Sequence, residues 1–381
     1  MSTAARALAS ASLGAAGGIA ASALLWRRTD STTRDATTQS VQTNPFCPFG
    51  LPSDEHVVVR RGFASSLNYR LRIPNWVAEK YTAEDVDADG VDRKYSRFAS
   101  DQEVPEVFRA SNNDYRGSSL SRGHLAPAGA HKQSQEALDE TFLLSDNIVP
   151  QEMSNNGSDW LRLERWAKGL CHSPEGGKGS SGDGSFTEVY VISGPLFLPN
   201  DPVAPSPNAT SKRAGPIRKR VAYDVIGPHE VAVPSHLFKV VLAQRGTDAS
   251  SRRLSAFVLP NGPVRAHPPL DDFEVSLADV ERASGLELFR DLGATRHDGS
   301  IPTLCGGKCG LGCRLDGRIE GWKLLGDLKL ASNCKELSAT WVGIEERSGN
   351  LDNMPLIRRV RDERSSKMAC EMRVGEVSAA A

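Results

Sequence analysis

At 381 residues, with 39% hydrophobic and 24% charged side chains, the chain has the size and composition of a protein with a sizeable core, which excludes a fibrous or wholly disordered class. Its 46 Lys and Arg stand against 47 Asp and Glu, so bulk charge excludes a generally basic nucleic-acid binder and any phosphate contact must come from a local basic patch. Seven cysteines at irregular spacing do not read as a secreted disulfide scaffold and are taken as mostly reduced thiols.

Residues 7–26 carry no charge, with Arg6 before them and Arg27 and Arg28 after. Twenty helical residues span about 30 Å, the thickness of a bilayer core. Three readings are open for residues 1–28: a membrane anchor or mitochondrial signal-anchor, a cleaved targeting peptide, or an Ala-rich tail. Residues 29–55 are rich in Thr, Ser, Asp and Pro and read as a linker.

From residue 56 to 298 the pattern is globular. Residues 57–61 and 67–73 predict a hairpin ended by the segment 74–79, and residues 82–101 a polar surface excursion. Strands are predicted at 188–193, 220–226, 231–243 and 254–259, and a helix at 273–288 through Val275, Leu277, Val280 and Leu286. Loops at 173–185 and 199–216, rich in Gly, Ser and Pro, interrupt this body. Short strands with a few helices point to an α+β or mixed α/β domain.

Residues 299–366 predict a small helical extension, with Trp322, Leu324, Leu325, Leu328 and Leu330 as its apolar face. Cys305, Cys309, Cys313 and Cys334 admit zinc, although their spacing departs from paired CxxC, or simple thiols in a Gly-rich loop. Arg358, Arg359, Arg361 and Arg364 form a basic run, either a solvated helix face or a DNA contact. Residues 367–381 read as a disordered tail.

The informative stretch is 121–168. It holds Ser121-Arg122-Gly123-His124-Leu125-Ala126-Pro127-Ala128-Gly129, then Asn147-Ile148-Val149-Pro150-Gln151, then Asn156 and a run in which Trp160, Leu163, Ala167 and Leu170 recur at helical spacing. His124 sits near the exit of a short strand, and Asn156 just ahead of the helix, where it is expected as an N-cap or loop residue. Reckoned along one helix, Glu164 lies about 80° around from Asn156, so both can face one pocket. Lys168 stands one turn beyond Glu164. His131 is expected at the surface.

Such a set suits phosphodiester hydrolysis. That reaction needs a base for water, a Lewis acid on the phosphate and cations for developing charge. Neutral His124 is a suitable base. Mg²⁺, or Mn²⁺ in its place, accepts an amide oxygen such as that of Asn156 and keeps several waters, one of which Glu164 could hold. Arg122 and Lys168 could meet phosphate oxygens. Taken singly, each residue has a plainer reading: a packed histidine, a turn asparagine, a solvated helix glutamate.

The Ser121–His124 motif, the Asn147–Gln151 run and Asn156-x3-Trp160-x2-Leu163-Glu164 resemble the DNA/RNA non-specific endonucleases, a ββα-metal nuclease group, in their mitochondrial exo/endonuclease G-like branch. The likeness extends through Ile192-Ser193-Gly194-Pro195-Leu196 and Val231 to Lys239. It implies a ββα-metal fold with a mixed central sheet, flanking helices and a C-terminal wing that helps select DNA ends. It implies His124 as general base, Asn156 as the protein ligand to Mg²⁺, Glu164 behind the metal-bound water, Asn147 as supporting amide and Arg122 as the motif arginine. Lys168 falls where some relatives carry an active-site arginine. Ser121 stands where most members have Asp, at a position that bears on support of the site and on substrate. The resemblance further implies a sugar-non-specific nuclease of DNA and RNA, homodimeric, at the mitochondrial inner membrane. A nucleic-acid-binding relative that has lost turnover is the alternative.

Overall fold

Period-two alternation of apolar residues builds the framework. The strands in chain order are β1 (Val57–Val59), β2 (Phe63–Asn68), β3 (Ile73–Tyr81), β4 (Ser121–His124), β5 (Ile148–Gln151), β6 (Glu188–Leu196), β7 (Val225–Ile226), β8 (Val231–Ala232), β9 (His236–Arg245), β10 (Asp248–Pro260) and β11 (Glu274–Val275). Seven of them form one sheet in the order β1-β2-β3-β6-β9-β10-β11. Every ladder in it is antiparallel, so this α+β fold has a large sheet that is not mixed in strand direction. The computed structural model describes residues 44–171, 186–199, 219–265, 268–305, 317–345 and 354–368. The uncharged segment 7–26, the loops 173–185 and 200–216, Cys309, Cys313 and the tail beyond residue 368 lie outside the described residues.

Each face of the sheet has its own core. Trp76, Ala78, Tyr190, Ile192, Phe238, Val240 and Leu242 point one way, toward Leu277 and Val280 and toward Phe46, Phe49 and Leu51 from the segment read as linker. The alternate residues Tyr81, Val189, Val191, Val241 and Ala243 point the other way. Burying one such side chain is worth about 1.5–3 kcal/mol, which outweighs any local preference for another register. The same face carries three buried polar groups side by side: Glu79 pairs with Val191, and Ser193 with Lys239.

That second face is covered by the segment between β3 and β6. β4 and β5 pair with each other, and α1 (Leu144–Asn147) leads into β5. Two helices follow, α2 (Met153–Gly157) and α3 (Asp159–Gly169). Trp160, Leu163, Ala167 and Leu170 are buried as their spacing predicts. On the opposite side of the sheet lies α4 (Leu277–Ser284), capped by Ser276 and stopped by Gly285 at φ +76.

The C-terminal extension is helical: α5 (Gly317–Leu330), α6 (Cys334–Glu345) and α7 (Met354–Lys367). Leu324, Leu325, Leu328, Leu337, Trp341, Ile344 and Ile357 form its core. Three of the four arginines in the α7 run have local partners, and Arg358 is exposed. Arg359 pairs with Glu363 at 3.0 Å, Arg361 lies 4.1 Å from the Trp341 ring centroid, and Arg364 donates to the Ala331 carbonyl.

Several expectations are corrected. The segment 74–79 does not end a strand but lies inside β3, while residues 69–72 form the turn, with Arg72 at φ +58. Pro74 is accommodated near the strand's start, opposite a register shift at Ser66/Leu67. The helix predicted at 273–288 is confined to α4, because Val275 pairs in β11 and Gly285 ends the helix. Asn156 is neither N-cap nor loop; it lies within α2. Ser158, at φ −122 and ψ −92, separates α2 from α3, so the 80° reckoning along one helix does not apply. Cys305 and Cys334 are each disulfide-bonded rather than reduced, whereas Cys47 and Cys171 are free, their thiols pushed up to about 12 by burial. His131 is buried, not exposed. Its Nε2 lies 2.8 Å from Glu79 Oε2, a partner that the strand alternation of β3 turns inward.

Candidate active site

The β4–β5 ladder sets Ser121 opposite Gln151 and His124 opposite Ile148. Gly123 between them has no room for a side chain, since a Cβ would lie 1.9 Å from Gln151 Oε1. Gln151 in turn donates to Asn155 Oδ1 at 2.6 Å, and Asn155 Nδ2 to the Pro260 carbonyl at 3.0 Å. The floor of the site is thereby tied to β10.

His124 is held from three sides. Its carbonyl accepts from Trp160 Nε1 at 3.0 Å, which fixes β4 against α3. Its ring packs edge-on to Phe142 at 4.9 Å and beside Phe98 at 5.4 Å. Its Nε2 is buried without a hydrogen-bond partner. Loss of water, helped by the charges of Arg93, His131 and Arg122, pushes the imidazole down to about 3, so it is neutral at pH 7.

Asn147 lies behind His124 and is fully buried. Its Oδ1 accepts from Ala126 N–H at 2.8 Å, and its Nδ2 donates to the carbonyls of Ala126 at 2.8 Å and Thr141 at 2.9 Å. It fastens the chain that leaves β4 and does not line the cleft.

A cleft of about 440 Å³ gathers the other predicted residues: Ser121, Arg122, His124, Asn156, Glu164 and Lys168. Ser121 Oγ donates to the Gln151 carbonyl at 2.8 Å and accepts from Asn156 Nδ2 at 3.0 Å. With its nitrogen directed at Ser121, the Asn156 amide keeps its oxygen as the donor atom for a cation. Glu164, one helical turn after the buried Trp160 on α3, has its carboxyl raised by burial against the pull of Lys239. Lys239, buried behind it, donates to Ser193 Oγ at 2.6 Å and to the Leu125 carbonyl at 3.2 Å, and is itself lowered by burial. Lys168 Nζ donates to the Gly129 carbonyl at 3.0 Å, and burial lowers it too. Arg122 stacks 4.3 Å from the Phe98 ring centroid and donates to Asn112 Oδ1 at 2.6 Å.

Sequence reasoning missed Arg93, Arg165 and Trp322, which also line the cleft. Arg93 lies in the excursion read as surface, 5.4 Å from the Phe142 ring centroid. Arg165 adjoins Glu164, a signal the motif carried unread. Trp322 comes from α5, more than 150 residues downstream of Asn156, and no local pattern pointed to it.

Among the described residues no three His, Cys, Asp or Glu side chains cluster to hold a metal ion. A zinc-type cage is therefore not what the cleft offers. One amide oxygen, with a carboxylate beyond it, fits a hard divalent cation that keeps most of its waters. Four cations and one carboxylate line the cleft, a balance suited to a phosphodiester.

Residues 42–295 match the model of the family described as DNA/RNA non-specific endonuclease. The chain is 41% identical over 233 residues to "Nuclease EXOG, mitochondrial" of Homo sapiens, covering 61% of this chain and 56% of that protein. It is 38% identical over 295 residues to the Mus musculus protein of the same name, covering 76% and 73%. It is 37% identical over 258 residues to "Mitochondrial nuclease" of Saccharomyces cerevisiae, covering 66% and 71%. The aligned part thus spans little more than half of the human relative's length. A solved structure titled as the EndoG/EndoGI complex superposes with TM-score 0.56 at 33% identity, covering 66% of this chain and 93% of that one. The chain belongs to the DNA/RNA non-specific endonuclease family.

Proposed function

We propose that this chain hydrolyses phosphodiester bonds of DNA and RNA, with His124 as general base, in a reaction that needs a divalent cation. The observation that carries the reading is the buried, unpartnered Nε2 of His124 in a cleft shared with Asn156, Glu164 and four cationic side chains. A neutral imidazole can take a proton from water at Nε2. A phosphate entering the cleft offsets the charges of Arg93 and Arg122, which otherwise depress the ring, and so makes it a stronger base. Arg122, Lys168, Arg93 and Arg165 are placed to hold phosphate oxygens as charge develops. Ser121 orients the Asn156 amide, which would hold Mg²⁺ or Mn²⁺. The bound cation would supply Lewis-acid stabilisation of the phosphate. Asn147 acts through the backbone after β4, as a positioning residue.

The finer parts of the proposal rest on separate features. Trp322, closing one side of the cleft from α5, supports a C-terminal wing that selects DNA ends; a 5′-exonuclease component beside internal cutting belongs to the same proposal. A homodimer belongs to the same proposal, with its apolar contact sought at the hollow lined by Tyr69, Phe108, Tyr223 and Val225. Mitochondrial residence follows the relatives' names, and an inner-membrane anchor the uncharged run 7–26. Ser121 does not favour the inactive alternative, because its hydroxyl supports Asn156 directly.

The test is incubation of supercoiled plasmid, end-labelled duplex and RNA with Mg²⁺, then with EDTA. Cleavage by the parent, abolished by EDTA and lost in His124→Ala, is expected. No metal-dependent cleavage by the parent, or undiminished cleavage by His124→Ala, overturns the reading.

A further inference from the structure

One face of α5 lies along the segment that carries Asn156. Trp322, Gly326 and Lys329 follow one another at spacings of four and three, with Lys323 beside them, so they share a stripe of the helix. Each touches the segment 152–159 at a different point. The ring of Trp322 lies against the backbone of Gly157, where a Cβ would meet it at 2.2 Å. Gly326 lets α5 approach Ser154, to within 3.3 Å of an added Cβ. Lys329 pairs with Glu152, whose carboxylate also caps α2 through Ser154 N–H at 2.7 Å. Lys323 Nζ lies 2.7 Å from Asp159 Oδ2, with both side chains 1% exposed.

The Lys323 contact is the buried one. It donates as well to the Val264 carbonyl at 3.1 Å. Asp159 Oδ1 accepts from Arg162 at 2.7 Å, and Arg162 donates to the Pro268 carbonyl at 2.9 Å. Asp159 opens α3, the helix of Glu164, and stands three residues after Asn156. Removing Lys323 leaves Asp159 paired with Arg162 through Oδ1 alone and its buried Oδ2 without a donor, at the joint between α2 and α3. That joint, with Ser158 outside helical geometry, is where the relative direction of the Asn156 and Glu164 side chains is set.

We infer that α5 is a brace on the Asn156 segment, that Lys323 is a positioning residue, and that the C-terminal extension thereby sets the affinity of the cleft for its divalent cation. The inference rests on the reading of Asn156 as the cation's ligand. It deepens that reading by assigning part of the cation's binding energy to residues more than 150 positions away that never touch it. The single ligating amide makes this coupling strong, since no second protein ligand compensates when the first is misdirected.

The experiment is calorimetric titration of MnCl₂ alone into the full chain carrying His124→Ala, so that turnover plays no part. In that background the parent is expected to bind Mn²⁺ and Asn156→Ala to abolish binding. Lys323→Met is expected to weaken Mn²⁺ binding about tenfold, the low end for loss of a group that orients a ligand. Lys329→Met, at a partly exposed site that the fold tolerates, is expected to weaken it several-fold, and Lys329→Arg, which keeps the pair with Glu152, to restore it. Circular dichroism checks that each variant is folded, and where Lys323→Met is not, the Lys329 pair decides. Mn²⁺ affinity within about twofold of the parent in the folded Met variants overturns the brace while leaving Asn156 as ligand. Absence of binding by the parent, or unchanged binding by Asn156→Ala, overturns the ligand reading and the brace with it.

Discussion

Acid should destabilise this protein through His124 in a calculable way. The group has an ordinary value of 6.5, and burial brings it to about 3 in the folded chain. A histidine with a depressed folded value is neutral when folded and protonated when unfolded across the interval from 3 to 6.5. The unfolded state then binds the extra proton, so stability rises with pH there and is lost as pH falls from 6.5. Each pH unit inside the window is worth about 1.4 kcal/mol, so moving from pH 7 to pH 4.5 removes about 2.5 kcal/mol. Asp146, pushed up to about 7 by burial, works in the opposite direction, because its folded form keeps a proton that the unfolded carboxylate has given up. Comparing the parent with His124→Phe cancels that contribution, and phenylalanine suits a site already bordered by Phe98 and Phe142. Urea unfolding of both proteins at pH 7 and pH 4.5 makes the measurement. The parent should lose about 2.5 kcal/mol more than the variant on acidification. Equal losses, to within about 0.5 kcal/mol, would refute the claim that the ring is held dry and neutral.

Asn147→Ala strands three buried backbone groups, at Ala126 and Thr141, at roughly 1–3 kcal/mol each; a loss of about 3 kcal/mol or more in urea unfolding is expected, and a loss below about 1 kcal/mol contradicts its role. Gly157→Ala drives a methyl into the Trp322 ring and should cost about 1–3 kcal/mol, seen as a lowered Tm; an unchanged Tm means α5 does not press on α2 as described. Lys239→Met removes the cation that lowers Glu164, so the alkaline shift of the rising limb in the kcat–pH profile is the expected readout, and an unmoved limb is the contrary one. Ser121→Ala frees the Asn156 amide and should raise the Mg²⁺ concentration for half-maximal cleavage with little change in kcat at saturation; an identical Mg²⁺ dependence would show that the hydroxyl is dispensable.

The cleft was more legible than the framework around it. His124, Asn156, Glu164, Arg122 and Lys168 are close in sequence, and short strands and helices turn sequence proximity into spatial proximity, so their convergence could be read from residue types and turns. Asn147 was read as an amide supporting the site, but its burial behind the cleft depended on three backbone partners that no spacing reveals. Arg93 was hidden in a polar run whose only signal was polarity. Trp322 and Lys323 reach the site through tertiary packing alone. The hairpin error has a local cause: Pro74 was read as a terminator, although a proline near the start of a strand costs little. His131 looked like a surface residue because its partner, Glu79, is a carboxylate on a strand whose alternation places it indoors.

The place of the site within the sheet has a consequence for synthesis. β3 and β6 are neighbours, yet residues 82–187 run between them, and this insertion holds the whole motif from Ser121 to Lys168. β6 pairs on its other side with β9, whose Lys239 backs Glu164. A nascent chain that has emerged only through the motif therefore has His124, Asn156 and Glu164 but neither β6 nor β9 to press them against. Closing so long an excursion is slow and entropically costly until β6 and β9 have docked. Assembly of the cleft is thus postponed until β9 has been made, about 70 residues beyond the end of the motif.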